Sequence, residues 1–375
     1  MQNPDTLRSR QLAGLGFVSL LAPIIRLLPR QVVAIAGDAA WISPLITILP
    51  AVLLILFMDW FLKNRQTGEG LGDLFLRALG GFFGRLALLL FTLWLLFYAG
   101  FTVRNGADRF IATVYPNSQP RTFIAAMLLL SLLASLGRLQ VLARTARVFC
   151  PLLLLVFVLV FAFSAPDMDI ENLLPVSYLD IKNILFATLP VLNTISIVVY
   201  TSFLSGYSDD RTPLIRIYLK WTILILLIIA LLVVTALSVF GAELVTRIDH
   251  LFLVMIRGIS FTNLLERIEA VVIALWVVTD FVLVTMLLFV CVETLHLVLG
   301  IRRDKRKVGT MRSLQNGRWL IWLCSAAVFA CAALIAPSSF SLHWISEVLI
   351  PYTNLFFVFV LLPLICIIGK LRKTI

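Results

Sequence analysis

Asp280 is the residue whose chemistry is hardest to explain as packing, because it stands inside a hydrophobic run from Leu264 to Leu299. An acid at the centre of a membrane helix costs roughly 2.5 to 3.5 kcal/mol on insertion scales, so its carboxylate has to face protein or water rather than lipid. Spacings of three and four residues put four further side chains on the same helix face. They are Glu266, Glu269, Ile273 and Trp276. We therefore predict that Trp276 and Asp280 line an internal ligand site.

Two roles are open for Asp280, and one alternative is purely structural. The carboxylate can bind the amine of a ligand, or it can carry a proton across the membrane. The structural alternative is a fixed ion pair with an intramembrane arginine, for which Arg26 and Arg104 are candidates. Arg104 most simply pairs with Asp108, four residues further along the same helix. Arg26 either extends to the membrane surface or faces inward, where it can hold a ligand carboxylate.

A second polar cluster interrupts the run from Asn183 to Leu204. Pro190 removes a backbone donor, so we predict a break or kink around Ala187 to Thr194. Asn193 and Thr194 follow it and can bond the polar groups of a ligand. Alternatively, these side chains only satisfy the backbone groups that the proline frees.

The first hydrophobic run, Gln11 to about Ala36, carries a matching proline. Small residues beside it, Ser19 and Ala22, allow close approach of a ligand to the backbone, whereas Pro23 offers no amide. Tyr98 in the third run is a candidate wall of the same cavity. Interrupted spans in corresponding halves of a chain are typical of transporters with an inverted repeat and a binding site near mid-membrane.

Composition decides the class of protein that carries these residues. The chain has 375 residues, of which 61% are hydrophobic and 14% charged, and its mean hydropathy is +1.02. About ten runs of near 20 apolar residues predict an all-α, multi-pass membrane protein. No catalytic motif, metal-ligand spacing or cofactor loop is present, so the sequence does not predict an enzyme, a metal site or a cofactor.

Charge indicates the topology. With the N-terminus inside, the inner segments hold 22 of the 31 lysines and arginines, which places both termini in the cytoplasm. The net charge of +11 is explained in this way without nucleic-acid binding. An acidic outer linker at residues 164–182 divides a single membrane domain into two five-span repeats, residues 1–163 and 183–375.

Three segments carry a resemblance to a known family. They are Gly37-Asp-Ala-Ala-Trp41-Ile-Ser43, Asn172-Leu-Leu-Pro175-Val, and Leu265-Glu-Arg-Ile-Glu-Ala270 leading into Leu275-Trp-Val277. In order and spacing they resemble the endospore germination permeases, the GerAB-type B subunits of nutrient-germinant receptors. That family belongs to the amino acid, polyamine and organocation transporter superfamily.

The resemblance implies two inverted five-helix repeats, with the first and sixth helices broken around a small nutrient such as an amino acid. It also implies an endospore inner-membrane complex with an A subunit and a lipoprotein C subunit. The first break departs from the family pattern, because Leu21 is bulky and Pro23 lacks an amide, so another ligand or none is an open alternative. Two rival functions stay open as well: a proton-coupled amino acid transporter, and a scaffold subunit that binds no ligand.

Overall fold

The computed structural model describes residues 7–26, 28–63, 65–66, 68–114, 118–208, 214–248, 251–259, 266–301, 318–335 and 339–374. Over these residues the chain is helical, without a regular β-strand. Seven helical segments are long and apolar enough to cross a membrane, and three shorter apolar helices accompany them. The chain is therefore an all-helical integral membrane protein.

The first half consists of long apolar helices and two short helices of nine residues each. In chain order the helices are α1 (Ser9–Arg26), α2 (Leu28–Ala36), α3 (Ile42–Leu62), α4 (Leu71–Leu79), α5 (Gly81–Thr113), α6 (Pro120–Leu136) and α7 (Leu139–Ser164). A 3₁₀ turn, Gly37–Trp41, joins α2 to α3.

The second half begins after a linker of three 3₁₀ turns. Its α-helices are α8 (Ile181–Ser196), α9 (Val198–Thr201), α10 (Leu214–Arg247), α11 (Leu251–Ile259), α12 (Glu266–Leu299), α13 (Arg318–Leu334), α14 (Ser339–Trp344), α15 (Ile350–Leu355) and α16 (Leu362–Leu371). A 3₁₀ segment, Ser202–Tyr207, continues α9, and π-helical turns join α14, α15 and α16 into one span.

Neither Pro23 nor Pro190, the two prolines predicted to break a helix, interrupts one. Helix α8 runs through Pro190 without interruption, and the irregular residue is Ile197, beyond the predicted stretch Ala187 to Thr194. Helix α1 likewise continues through Pro23 to Arg26. A proline removes one hydrogen bond of the ladder, and neighbouring helices that pack around the span hold the remaining turns in place. Leu27, between α1 and α2, lies outside the described residues.

Helices α5 and α12 form the centre of the bundle. Of the most apolar 18-residue window, 72% is buried in α5 and 67% in α12, against 33% in α7. The two helices pack along each other, α1 lies against α12, and α13 lies against α5. A helix that is apolar on every side can occupy this position, because all of its faces contact either neighbouring helices or lipid.

The 3₁₀ segment Ser202–Tyr207 lies at the end of the bundle that the charge pattern predicts to be the inner one. A Cβ atom on Gly70 would lie 2.4 Å from Phe203 O, so the loop before α4 requires glycine there. Arg65 Nη1 donates to Ser205 O at 3.1 Å, and Leu7 N donates to Tyr207 O at 3.2 Å. Burial lowers the pKa of the Arg65 guanidinium, and nearby Tyr218 opposes that shift.

The outer linker rests on a kink in α10. Gly241 has φ 69°, a left-handed conformation that favours glycine. Asp169 N and Asn172 Nδ2 both donate to Ser238 O, at 2.9 and 3.1 Å. The linker is thereby held against the second half of the chain.

Candidate functional site

The predicted site residues fall into two groups rather than one cavity. Tyr98 and Asn193 belong to one group, whereas Trp276 and Asp280 lie beside Gly106 and Arg109 in the C-terminal part of α5. All four side chains are buried. Each group contains partners that the sequence did not reveal.

The central group is a hydrogen-bond network built on Asn354 of α15. Its Oδ1 accepts from Trp94 Nε1 at 2.8 Å and from the Tyr200 hydroxyl. Its Nδ2 donates to Asn193 Oδ1 at 2.7 Å. The network therefore joins α5, α8, α9 and α15, and we name it the central network. An amide at its centre can both donate and accept, so it can exchange a protein partner for the polar group of a ligand.

Aromatic rings enclose the central network. The Tyr98 ring lies 6.2 Å from the Trp94 ring and 6.5 Å from the Tyr200 ring. On the inner side, Phe91 stacks on Phe203 with centroids 4.6 Å apart. The low-dielectric surroundings strengthen the hydrogen bonds of the network and make the loss of any one of them costly.

Of the predicted residues of the first span, Ser19 bonds within its own helix and to α12 rather than to the central network. Ser19 is fully buried, and its hydroxyl donates to Leu15 O at 2.9 Å and approaches Met286 Sδ at 3.5 Å. Ala22 is buried and Pro23 half-buried. The side chain of Arg26 lies outside the described part of the chain, as do those of Glu266 and Glu269.

Two polar residues of the sixth span bond to backbone carbonyls of their own helix, although not to the Phe186 carbonyl that Pro190 leaves without its helical donor. Thr194 Oγ1 donates to Pro190 O at 3.0 Å, and Ser196 Oγ donates to Asn193 O at 2.5 Å. Both hydroxyls therefore satisfy carbonyls of their own helix. Asn193 differs from them, because its side chain reaches across to another span.

Asp280 forms a buried ion pair with Arg109 of α5, an arginine that was not among the predicted candidates. The two side chains are only 3% and 6% exposed. The alternative partner Arg104 instead pairs with Asp108 at 3.3 Å, as the sequence predicted. The sequence signal that was missed is Gly106, one turn before Arg109, where a Cβ atom would lie 3.1 Å from Asp280 Oδ2.

An outer cleft adjoins this ion pair. It is shallow, with a volume of about 10 Å³, which is room for roughly one water molecule. Gly106, Arg109, Phe110, Thr113, Phe123, Ile273, Trp276, Val277 and Asp280 line it. The Arg109 guanidinium lies 5.0 Å from the centre of the Trp276 ring. Trp276 Nε1 is buried without a hydrogen-bond partner among the described residues.

The outer cleft and the central network are too far apart for one small ligand to contact both. Tyr98 and Arg109 are eleven residues apart on the unbroken helix α5, which corresponds to roughly 16 Å along its axis. Trp94 is four residues further from Arg109.

A second buried acid lies on the inner half of α12. Glu293 accepts a hydrogen bond of 2.5 Å from the Tyr207 hydroxyl, at the end of the 3₁₀ segment Ser202–Tyr207. One residue further, Thr294 bonds to Thr92 at 2.7 Å. Within the described ranges no group of three or more His, Cys, Asp or Glu side chains is arranged to hold a metal ion.

Comparison with known proteins agrees with this architecture. No curated protein matches the chain. A protein-family model described as "Spore germination protein" matches residues 6–340, which is most of the sequence. The chain therefore belongs to the spore germination permease family of membrane proteins.

Proposed function

We propose that this protein is the nutrient-binding B subunit of a spore germinant receptor in the endospore inner membrane. We take the nutrient to be an amino acid, which binds at mid-membrane between the first, third, sixth and eighth spans. Binding shifts the helix bundle between two states, and partner A and lipoprotein C subunits receive the change. A ligand moves such an equilibrium only by its differential affinity for the two states.

The observation that carries this proposal is the central network. Polar side chains in a membrane core are expensive, and they mark functional sites when they face the interior of the bundle. Asn193 lies on the sixth span, three residues after Pro190, and its amide meets Asn354 of the tenth span. A ligand that replaces this one bond separates the two spans, so binding and helix movement share the same contact.

Packing between the two halves supports a fold of ten spans in two inverted repeats. Helix α3 packs on α10, which pairs the second span with the seventh. Helix α5 packs on α12, which pairs the third with the eighth. A pseudo-twofold relation between the halves brings corresponding spans together in this way.

The test is Asn193→Ala, compared with Asn105→Ala. Both asparagines are 9% exposed, but Asn105 makes no hydrogen bond in the structure. Spores carrying each variant are exposed to amino acids, sugars and nucleosides, and germination is followed by loss of optical density. We expect Asn193→Ala to abolish the response to the effective nutrient while Asn105→Ala retains it.

Binding separates the receptor from the ligand-free scaffold. Thermal unfolding of the purified full chain is measured with the same compounds. A nutrient-dependent shift that Asn193→Ala removes supports the receptor. If no compound shifts unfolding, and Asn193→Ala and Asp280→Ala both retain germination, the scaffold is the correct function.

A proton-coupled amino acid transporter is the second candidate, because α12 carries two buried acids, Asp280 and Glu293. Arg109 weighs against Asp280 as the carrier, since a proton bound there leaves a buried guanidinium without its counter-charge. Glu293→Gln in proteoliposomes tests the other acid. Sustained amino acid accumulation driven by a pH gradient, lost in this variant, would establish transport.

A further inference from the structure

We propose that α4 and residues 370–374 form a releasable clamp that holds the 3₁₀ segment Ser202–Tyr207, the end of the sixth span, in its packed position. Helix α16, the end of the tenth span, packs on α4, and side chains of each segment bond to the backbone of the other. The clamp sets how often the end of the sixth span opens. It does so whether or not the central network binds a nutrient.

Two arginines join the halves of the clamp. Arg372 Nη1 donates to Leu79 O at 3.1 Å, and Arg77 Nη2 donates to Thr374 O at 3.2 Å. Leu79 is the last residue of α4, and the final carbonyls of a helix have no donor within the helix. The guanidinium of Arg372 supplies one, and its positive charge interacts favourably with the helix dipole at this end.

Residues 370–374 are also attached to α3. Lys370 Nζ lies 4.3 Å from the centre of the Trp60 ring, in a cation–π contact. The turn that presents Leu79 O depends on Gly80, which ends α4 with φ 82°, in the left-handed region. The segment after α16 is therefore bound to two helices from the first half of the chain.

The N-terminal part of α4 and the loop before it pack against the end of the sixth span. The Phe75 ring lies 5.8 Å from the Phe203 ring. A Cβ atom on Gly206 would lie 2.8 Å from Gly68 O, so the two backbones touch without room for a side chain. Contacts this close do not let the segment Ser202–Tyr207 slide past α4, so its displacement requires α4 to move as well.

The clamp is weak enough to open reversibly. Arg372 and Thr374 are exposed, and the Arg77 side chain is 32% exposed although it also pairs with Glu69 at 3.1 Å. Water competes for contacts of this kind, so each contributes little. Loss of one cation at a helix C-terminus is expected to change the opening equilibrium by roughly 2- to 5-fold. Elements that move are typically held by such low-cost contacts.

The test measures how often Ser205 becomes accessible in the full chain in lipid nanodiscs. Ser205 lies in the 3₁₀ segment and is 1% exposed, and Ser205→Cys changes a single atom. The five natural cysteines are replaced by alanine, and the rate of reaction with a charged, water-soluble thiol reagent is followed. Because the reagent reaches only the open form, the rate is proportional to the open population.

Arg372→Met and Arg77→Met are each expected to raise the labelling rate by roughly 2- to 5-fold, and the double variant by more than either. Arg372→Lys, which keeps the charge, is expected to return the rate most of the way to that of the natural residue. Lys373→Met is the matched control. Lys373 is exposed in the same segment, and its side chain makes no hydrogen bond or ion pair with the described residues.

A second control separates the clamp from general loosening of the fold. Gly241→Ala strains α10 at φ 69°, outside the clamp, and is expected to leave the labelling rate unchanged. Unchanged labelling in the double variant would overturn the clamp, and so would an equal rise in Lys373→Met or in Gly241→Ala. No nutrient is present in these measurements, so failure of the clamp and failure of nutrient binding are observed separately.

Discussion

The Arg109–Asp280 pair is expected to couple α5 to α12 by a free energy that a surface ion pair cannot reach. The perturbations are Arg109→Met, Asp280→Asn and the two together. Removing one partner of a buried ion pair costs about 3 to 5 kcal/mol, because the other charge stays buried without compensation. With exposed fractions of 6% and 3%, neither side chain can turn to water without moving a helix.

The two single variants are not expected to be equal. Asp280→Asn leaves the contact of the guanidinium with the Trp276 ring at 5.0 Å in place, so this contact does not change. Arg109→Met loses a desolvated cation–π contact of about 2 kcal/mol together with the ion pair, so it is expected to be the more damaging. The double variant removes both charges, and its cost is expected to fall short of the sum of the singles by about 2 kcal/mol or more.

The measurement is the free energy of unfolding in mixed micelles of dodecylmaltoside and dodecyl sulfate. Arg247 and Glu243 supply the control cycle, since their nitrogen and oxygen lie 2.6 Å apart but the side chains are 71% and 81% exposed. An exposed pair of this kind contributes about 0.5 kcal/mol or less. Additivity of the Arg109 and Asp280 variants within about 0.5 kcal/mol would refute the reasoning.

Three further substitutions test other parts of the fold by the same measurement. Asn354→Leu removes the shared partner of the Trp94, Tyr200 and Asn193 side chains and is expected to cost about 3 kcal/mol or more. Gly70→Ala places a Cβ atom 2.4 Å from Phe203 O and is expected to destabilise the contact between the loop before α4 and the 3₁₀ segment Ser202–Tyr207. In Gly14→Ala the added Cβ atom has no other atom within 4 Å, so this variant is expected to be neutral or to stabilise by about 0.5 to 1 kcal/mol. Gly241→Ala forces a non-glycine residue to φ 69° and is expected to cost about 1 to 2 kcal/mol; equal stability of this variant and the natural chain would contradict the strain.

The hydropathy of the sequence was sufficient to predict the helices and the inward position of Asp280. Both follow from local rules, since an apolar run of 20 residues must be helical in a membrane and an acid within it must avoid lipid. The identity of the ion-pair partner of Asp280 cannot be predicted from such local rules. Which arginine meets Asp280 depends on how far the antiparallel helices α5 and α12 are offset, and no local pattern sets that offset.

Asn354 was missed for a related reason. Its amide looks no different in the sequence from any asparagine in an apolar run, and its role arises only where four helical segments meet. Pro190 was misleading in the opposite direction. A proline predicts a break at its own position, but packing of the surrounding helices keeps α8 helical through Pro190. The irregular residue is Ile197.

Helix α5 connects the central network mechanically to the Arg109–Asp280 pair. Trp94 and Arg109 are fifteen residues apart on one unbroken helix, roughly 22 Å along its axis. A ligand that moves Trp94 relative to α12 must therefore shift α5 as a body or strain it. The Arg109–Asp280 pair ties α5 to α12 on one side of Trp94, and the Thr92–Thr294 bond ties the same two helices on the other. Movement of α5 past α12 therefore has to break both contacts.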